Sequence, residues 1–181
     1  MKHLAGALVL LSVAGADLVA ERPDDPKPGL IGEYFDVGSA IEDFPSVDGK
    51  QPAVRRLDKE LNWDATGEKF AGTELEDHFY VRWTGLLRVP KDGTYTLFTE
   101  SDDGSRLWID GKKVVENGGL HGMEEKSGTV ELKAGDHDLK VELFENEGEV
   151  GLKVSWQADG LAKQIIPASA YLHKHDEKLD K

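Results

Sequence analysis

Asp102 and Asp103 are the residues of this chain whose types and spacing best suit chemistry. Two adjacent carboxylates could hold a divalent cation, and calcium fits because it is a hard ion that takes about six to eight oxygens at flexible geometry. In regular β structure, however, neighbouring side chains point to opposite faces. The pair can therefore converge only where the backbone departs from a regular strand. Gly104, next in line, eases a tight backbone. Asp102-Asp103-Gly104-Ser105 is also a good turn, since Asp bonds its own backbone and Gly takes the awkward φ. A cation site and a purely structural turn are both open at this point.

The other candidates carry less. Trp63, in Leu61-Asn62-Trp63-Asp64, lies in a region of weak alternation and reads as a loop residue able to stack its ring on the C–H face of a sugar. Trp83, Trp108 and Trp156 lie on strand patterns and read as core, Trp108 least clearly because it falls on the opposite face from Leu107 and Ile109. His121 follows Gly118-Gly119-Leu120 and either borders a ligand or shapes a turn. His173 and His175 have no third ligand nearby for zinc. Glu74, Glu76 and Asp77 could be imagined as a glycosidase pair, but a chain this rich in acids produces such clusters by chance. An EF-hand loop placed on Gly111 would put Arg106 and Trp108 at its first ligand positions, which excludes it. No nucleophile-elbow, metalloprotease, phosphate-loop or dinucleotide fingerprint is present, so a non-enzyme is expected.

The elements that must position these residues are strands. In Phe79 to Val89 apolar side chains fall on odd positions and Arg82, Thr84 and Arg88 on even ones. Leu139, Val141 and Leu143 alternate with Asp138, Lys140 and Glu142, and the same pattern recurs at 129–132 and 152–156. Asp92-Gly93, Asp110-Gly111 and Gly135-Asp136 punctuate the runs as turns. Many short strands at this spacing predict an all-β, antiparallel sandwich or barrel in a single domain. Helix finds little support except near Pro167 to Leu172.

Charge narrows the partners. The chain has 22 Lys plus Arg against 35 Asp plus Glu, a net −13, and no Cys. Nucleic acid and anionic membranes are excluded as partners by that sign, and disulfides, thiolate chemistry and Cys-ligated zinc by the absent cysteine. Residues 1–20 have the layout of a signal peptide. A short basic start precedes the apolar run Leu4 to Val13 and cleavage sites after Ala16 or Ala20. That run is too short to span a membrane, so secretion without membrane insertion is expected. Loss of 1–20 removes one base and one acid and leaves 21 − 34 = −13. Residues 21–28 read as an unpaired Pro-rich linker, 29–172 as the domain, and 173–181 as a frayed polar tail.

The motifs Gly29-Leu30-Ile31-Gly32-Glu33-Tyr34-Phe35, Val81-Arg82-Trp83-Thr84-Gly85 and Ser101-Asp102-Asp103-Gly104-Ser105-Arg106-Leu107-Trp108-Ile109-Asp110-Gly111 resemble the protective antigen 14 kDa domain family. Gly119-Leu120-His121-Gly122, Phe144-Glu145-Asn146 and Leu152-Lys153-Val154-Ser155-Trp156 continue the match in the family's order, over about residues 28 to 172. The resemblance implies a β-sandwich or barrel found in secreted glycosidases, toxins, adhesins and flocculins, often as a carbohydrate-binding module. In its lectin members the peptide between the two aspartates is cis and both carboxylates hold one calcium ion. By resemblance the Asn146 amide oxygen would be a further ligand. Backbone carbonyls from about Glu147 to Gly151 would complete the set, with open positions for vicinal sugar hydroxyls. Glu147 and Glu149 depart from the commoner Gly-rich loop, and they either strengthen the field for a cation or crowd the mouth against a glycan. The expectation is a secreted, monomeric, calcium-dependent glycan-binding module. A structural or protein-interaction module of the cell surface, without metal or sugar, is the alternative. The cysteine-linked elaboration of the yeast lectins is missing, which keeps that alternative open.

Overall fold

The computed structural model of the protein describes residues 25–180. The expected signal peptide, and the first half of the expected linker, residues 21–24, lie outside the described residues. Two antiparallel sheets form a sandwich. The first runs β1 (Lys27–Pro28), β13 (Tyr171–His173), β5 (Phe79–Val89), β10 (Gly135–Glu145), β7 (Ser105–Ile109) and β8 (Lys112–Asn117). In the same sheet β2 (Leu30–Asp36) pairs with both β5 and β3 (Val54–Asp58). The second sheet runs β12 (Leu161–Ile165), β11 (Val150–Ala158), β6 (Gly93–Asp102) and β9 (Glu124–Leu132), with β4 (Asn62–Thr66) on β11. The expected all-β sandwich is the observed one. Helical geometry near Pro167 amounts to a single 3-10 turn, Ala168–Ala170.

The alternation read in β5 and β10 is the core. Val81, Trp83, Leu87, Leu139, Val141 and Leu143 pack between the sheets against Leu97, Leu152 and Val154 from the second sheet. Burying side chains of this size contributes roughly 1.5–3 kcal/mol each. Trp83 also needs an acceptor for its indole N–H, and Asp58 supplies one. Its Oδ2 accepts from Trp83 Nε1 (2.8 Å) and Tyr34 OH (2.6 Å), while Oδ1 accepts from Arg56 Nε (2.7 Å). Gly32 lies against this knot, because a Cβ there would stand 2.3 Å from Asp58 Oδ2. Burial and the Asp58 carboxylate push the Tyr34 phenol far above its usual range. Where β8 meets β9 the sheets approach backbone to backbone, since a Cβ on Gly128 would lie 1.8 Å from the Val114 carbonyl oxygen.

Apolar residues also occur on the outer face of the first sheet at one end. Phe35, Tyr80 and Phe144 are buried there beneath the 37–53 segment, which contributes Ile41 and Val47. Phe44 of that segment packs edge-on against Phe144 at 4.8 Å between ring centres.

Both ends of the domain are more ordered than the residue types suggest. Lys27 and Pro28, read as linker, pair with β13 in the register Lys27 to His173. The polar stretch after residue 172 folds back instead of fraying. His173 is buried with Nε2 2.8 Å from Asp180 Oδ1, Asp180 also meets Lys27 at 3.3 Å, and Arg55 holds Asp176 at 2.6 Å. These are charge pairs between remote residues, which a count of apolar residues does not register. Among the described residues no helix is long and apolar enough to cross a membrane.

Candidate functional site

Two connections between the sheets meet at the end of the sandwich covered by 37–53. β6 leaves the second sheet at Asp102 and β7 enters the first at Ser105, so Asp103-Gly104 makes the crossing. β10 leaves the first sheet at Glu145 and β11 enters the second at Val150. Register sets the crossings side by side, with Gly151 opposite Asp102 and Leu143 opposite Ser105. The Phe144 N–H donates to the Gly104 carbonyl at 2.9 Å. A side chain on Gly104 would drive its Cβ to 2.4 Å from the Phe144 ring, so only glycine allows this approach. The Asp102–Asp103 peptide is cis.

The crossings bring three carboxylates together. One oxygen each from Asp102, Asp103 and Glu145 lie within 4.8 Å of one another. Their exposures are 8%, 6% and 0%, so the charges sit close together with little water. Asp103 is held by main-chain donors, with the His121 N–H on Oδ1 (2.9 Å) and the Asn146 N–H on Oδ2 (3.1 Å). Glu145 Oε2 accepts from the Asp103 N–H at 3.1 Å, whereas its Oε1 is buried without a partner. Burial, then the charges of Asp103 and Asp102, push the Glu145 carboxyl up to about 8. Burial, then Asp103 and Glu149, push Asp102 up to about 6.

Both carboxyls bind protons in the fold at pH values where the unfolded chain, titrating near 4, has lost them. Stability therefore falls as pH rises from about 4 through the folded-state values. In chelator, the protein is expected to lose thermal midpoint between pH 6 and pH 9, with Glu145 the group titrating across that window. Melts of Glu145→Gln over the same range check this, because the variant should show a flatter profile. Equal slopes in the two proteins would refute the assignment.

Not every candidate residue lies in this cluster. Asp102 and Asp103 converge. Asn146 contributes its main-chain N–H, but its side-chain Oδ1 accepts from the Ile41 N–H (2.9 Å), so the amide oxygen is engaged with the 37–53 segment. The Glu147 side chain is 66% exposed and sits 3.1 Å from His78 Nε2, away from the cluster. His121 borders the site through its backbone, and its ring is occupied by the Gly122 carbonyl at 2.9 Å from Nδ1. Trp63 is not a loop platform. It lies on β4, stacked on Trp83 at 5.7 Å and edge-on to Phe70 at 5.2 Å, because the partner strand β11 turns its ring into the core wall. Trp156 and Trp83 are buried as expected, and Trp108 lies on the outer face with Lys140 Nζ 3.6 Å from its ring centre. Glu145 opens the 145–151 loop in which further ligands are expected, yet its side chain is not among the residues expected to bind. It lies on the odd register of β10 after Leu139, Val141 and Leu143, so a carboxylate in an inward position was the available signal.

A sandwich with three buried carboxylates at the crossings of one loop end defines the class: an all-β module whose distinctive chemistry lies in its loops. The chain belongs to the PA14 domain family, whose model matches residues 26–170. It is 30% identical over 145 residues to the anti-sigma-I factor RsgI3 of Acetivibrio thermocellus, covering 78% of this chain and 21% of RsgI3. Among solved structures it is similar to an anti-sigma factor domain-containing protein from Clostridium clariflavum. The TM-score is 0.69 at 29% identity, over 83% of this chain and 48% of that one. It shares its fold with a PA14 sugar-binding domain from an RTX adhesin, at TM-score 0.70 and 20% identity over 81% of this chain and 99% of that domain. The chain thus spans about a fifth of the length of RsgI3.

Proposed function

We propose that the protein is an exported, non-catalytic carbohydrate-binding module that holds calcium at Asp102, Asp103 and Glu145 and meets sugar hydroxyls through the ion's open positions. The observation that carries this reading is the buried, unpartnered Glu145 Oε1 among three carboxylates within 4.8 Å. A buried acceptor without a donor is costly, and three carboxylates at this separation repel one another. A divalent cation relieves both. The donors are all hard oxygens on connections between strands, which suits calcium, an ion that takes about six to eight oxygens at flexible geometry. Asn146 Oδ1 would join the ligand set by exchanging the Ile41 N–H for the ion. Its present engagement with Ile41 favours the second reading, a structural or interaction module whose loops hold no ligand.

Binding of the full chain to a glycan array in millimolar calcium and in chelator separates the two. Signal on at least one glycan in calcium, lost in chelator, is the expected result. Binding that chelator leaves intact, or none in either condition, would overturn the calcium-dependent lectin reading.

A further inference from the structure

Beside the carboxylate cluster runs a groove of about 360 Å³, walled by the 37–53 segment on one side and the loop after β8 on the other. Its charged lining is Glu42, Asp43, Arg106, Glu116 and Lys126, and a Cβ on Gly118 would crowd Glu116 Oε1 at 3.0 Å. Both walls are tied to the cluster. Ile41, next to Glu42, donates its N–H to Asn146 Oδ1, and His121, three residues past Gly118, donates its N–H to Asp103 Oδ1. These two bonds tie chain next to the groove to the residues that frame the carboxylates.

The groove's central side chain is already oriented. The Arg106 guanidinium lies 3.9 Å over the Phe44 ring, donates to Glu116 Oε1 at 2.7 Å and reaches Asp43 Oδ1 at 3.3 Å, yet remains 23% exposed. Donors and acceptors thus alternate along an aromatic-backed surface. Hydroxyl groups, which donate and accept at once, complement that alternation. Two cations against three acids leave the lining net negative, on a chain whose overall charge is −13, so a polyanion is disfavoured. The volume lies toward the lower end of small-molecule sites, roughly 300–1,000 Å³.

We infer that the ligand is a neutral oligosaccharide of two or more units, one at the carboxylate cluster and the next along the Arg106 groove, and not a single terminal sugar or a uronate chain. This rests on the carbohydrate reading above. The test is calorimetric titration of the full chain in calcium with mono-, di- and tetrasaccharides of the β-1,4-glucan, xylan and mannan series, and with tetragalacturonate. One neutral series is expected to tighten at least tenfold from mono- to tetrasaccharide, with tetragalacturonate failing to bind. Arg106→Ala and, separately, Glu116→Gln should return the tetrasaccharide to the affinity of the monosaccharide while leaving any calcium-induced melt shift intact. Equal affinity across lengths, a length gain that survives both variants, or tight binding of tetragalacturonate would overturn the inference. So would absence of binding across the panel while calcium still shifts the melt. Failure of the calcium reading itself has a different signature, a melt that calcium does not move.

Discussion

Calcium at about 10 mM, compared with chelator, is expected to raise the thermal midpoint of this protein by about 5–10 °C. An ion that binds only the native state stabilises it by RT ln(1 + [L]/Kd), about 2.7 kcal/mol at a hundredfold excess over Kd, which 10 mM supplies if the site binds near 10⁻⁴ M. For a domain of this size each kcal/mol moves the midpoint by roughly 2–4 °C. Asp103→Asn should reduce the shift to nearly zero. It keeps the shape of the side chain and one acceptor for the His121 and Asn146 N–H groups, turning an amide N–H₂ toward the other, while removing the charge an ion needs. Glu145→Gln should weaken the shift without abolishing it, since the adjacent Asp102–Asp103 pair remains to hold the ion. Scanning fluorimetry or calorimetry reads both, and an Asp103→Asn protein that keeps the wild-type shift would place the ion elsewhere or nowhere.

The second large effect belongs to the fold. Asp58→Ala is expected to destabilise the protein by about 3–5 kcal/mol, because it strips the acceptor from the buried Trp83 indole and Tyr34 hydroxyl and leaves Arg56 without its carboxylate. Asp58→Asn should cost less. It keeps one acceptor oxygen but turns an amide N–H₂ toward one of the donors. Urea denaturation gives the comparison, and a loss under about 1 kcal/mol for Asp58→Ala would mean that water or a rearranged Arg56 satisfies the donors. Calcium should still shift the melt of a folded Asp58→Asn, since no member of the cluster contacts this network.

What the residues disclosed and what they concealed divide along physical lines. Strands β5 and β10 were legible because one face of each meets the core and period-two alternation records that directly. The covering of the outer face by 37–53 was less legible, though Phe79-Tyr80-Val81 and Leu143-Phe144 are unbroken apolar runs, the mark of a strand buried on both faces. At the site, Asp102 and Asp103 stood out by type, and their meeting with Glu145 depends on cross-strand register that no local pattern encodes. Glu145 could have been noticed as an acid on an inward register. Trp63 reads as a loop residue because weak alternation resembles a loop, whereas β4 is a short strand that, among the described residues, pairs with β11. The order of the tail escapes a count of apolar residues because it rests on Asp180 meeting His173 and Lys27, and on Asp176 meeting Arg55 across the chain.

The pairing of Lys27 with His173 has a mechanical meaning. The backbone enters and leaves at neighbouring points, and Asp180 stays within 3.3 Å of Lys27 even after the tail turns back. Tension applied through the two ends would therefore load the β1–β13 ladder one rung at a time, as a zipper is opened, instead of shearing all its hydrogen bonds together. The carboxylate crossings sit on β6, β7, β10 and β11, outside that line of force. Such a pull would open the entrance rungs first, while the end that carries the acids kept its shape.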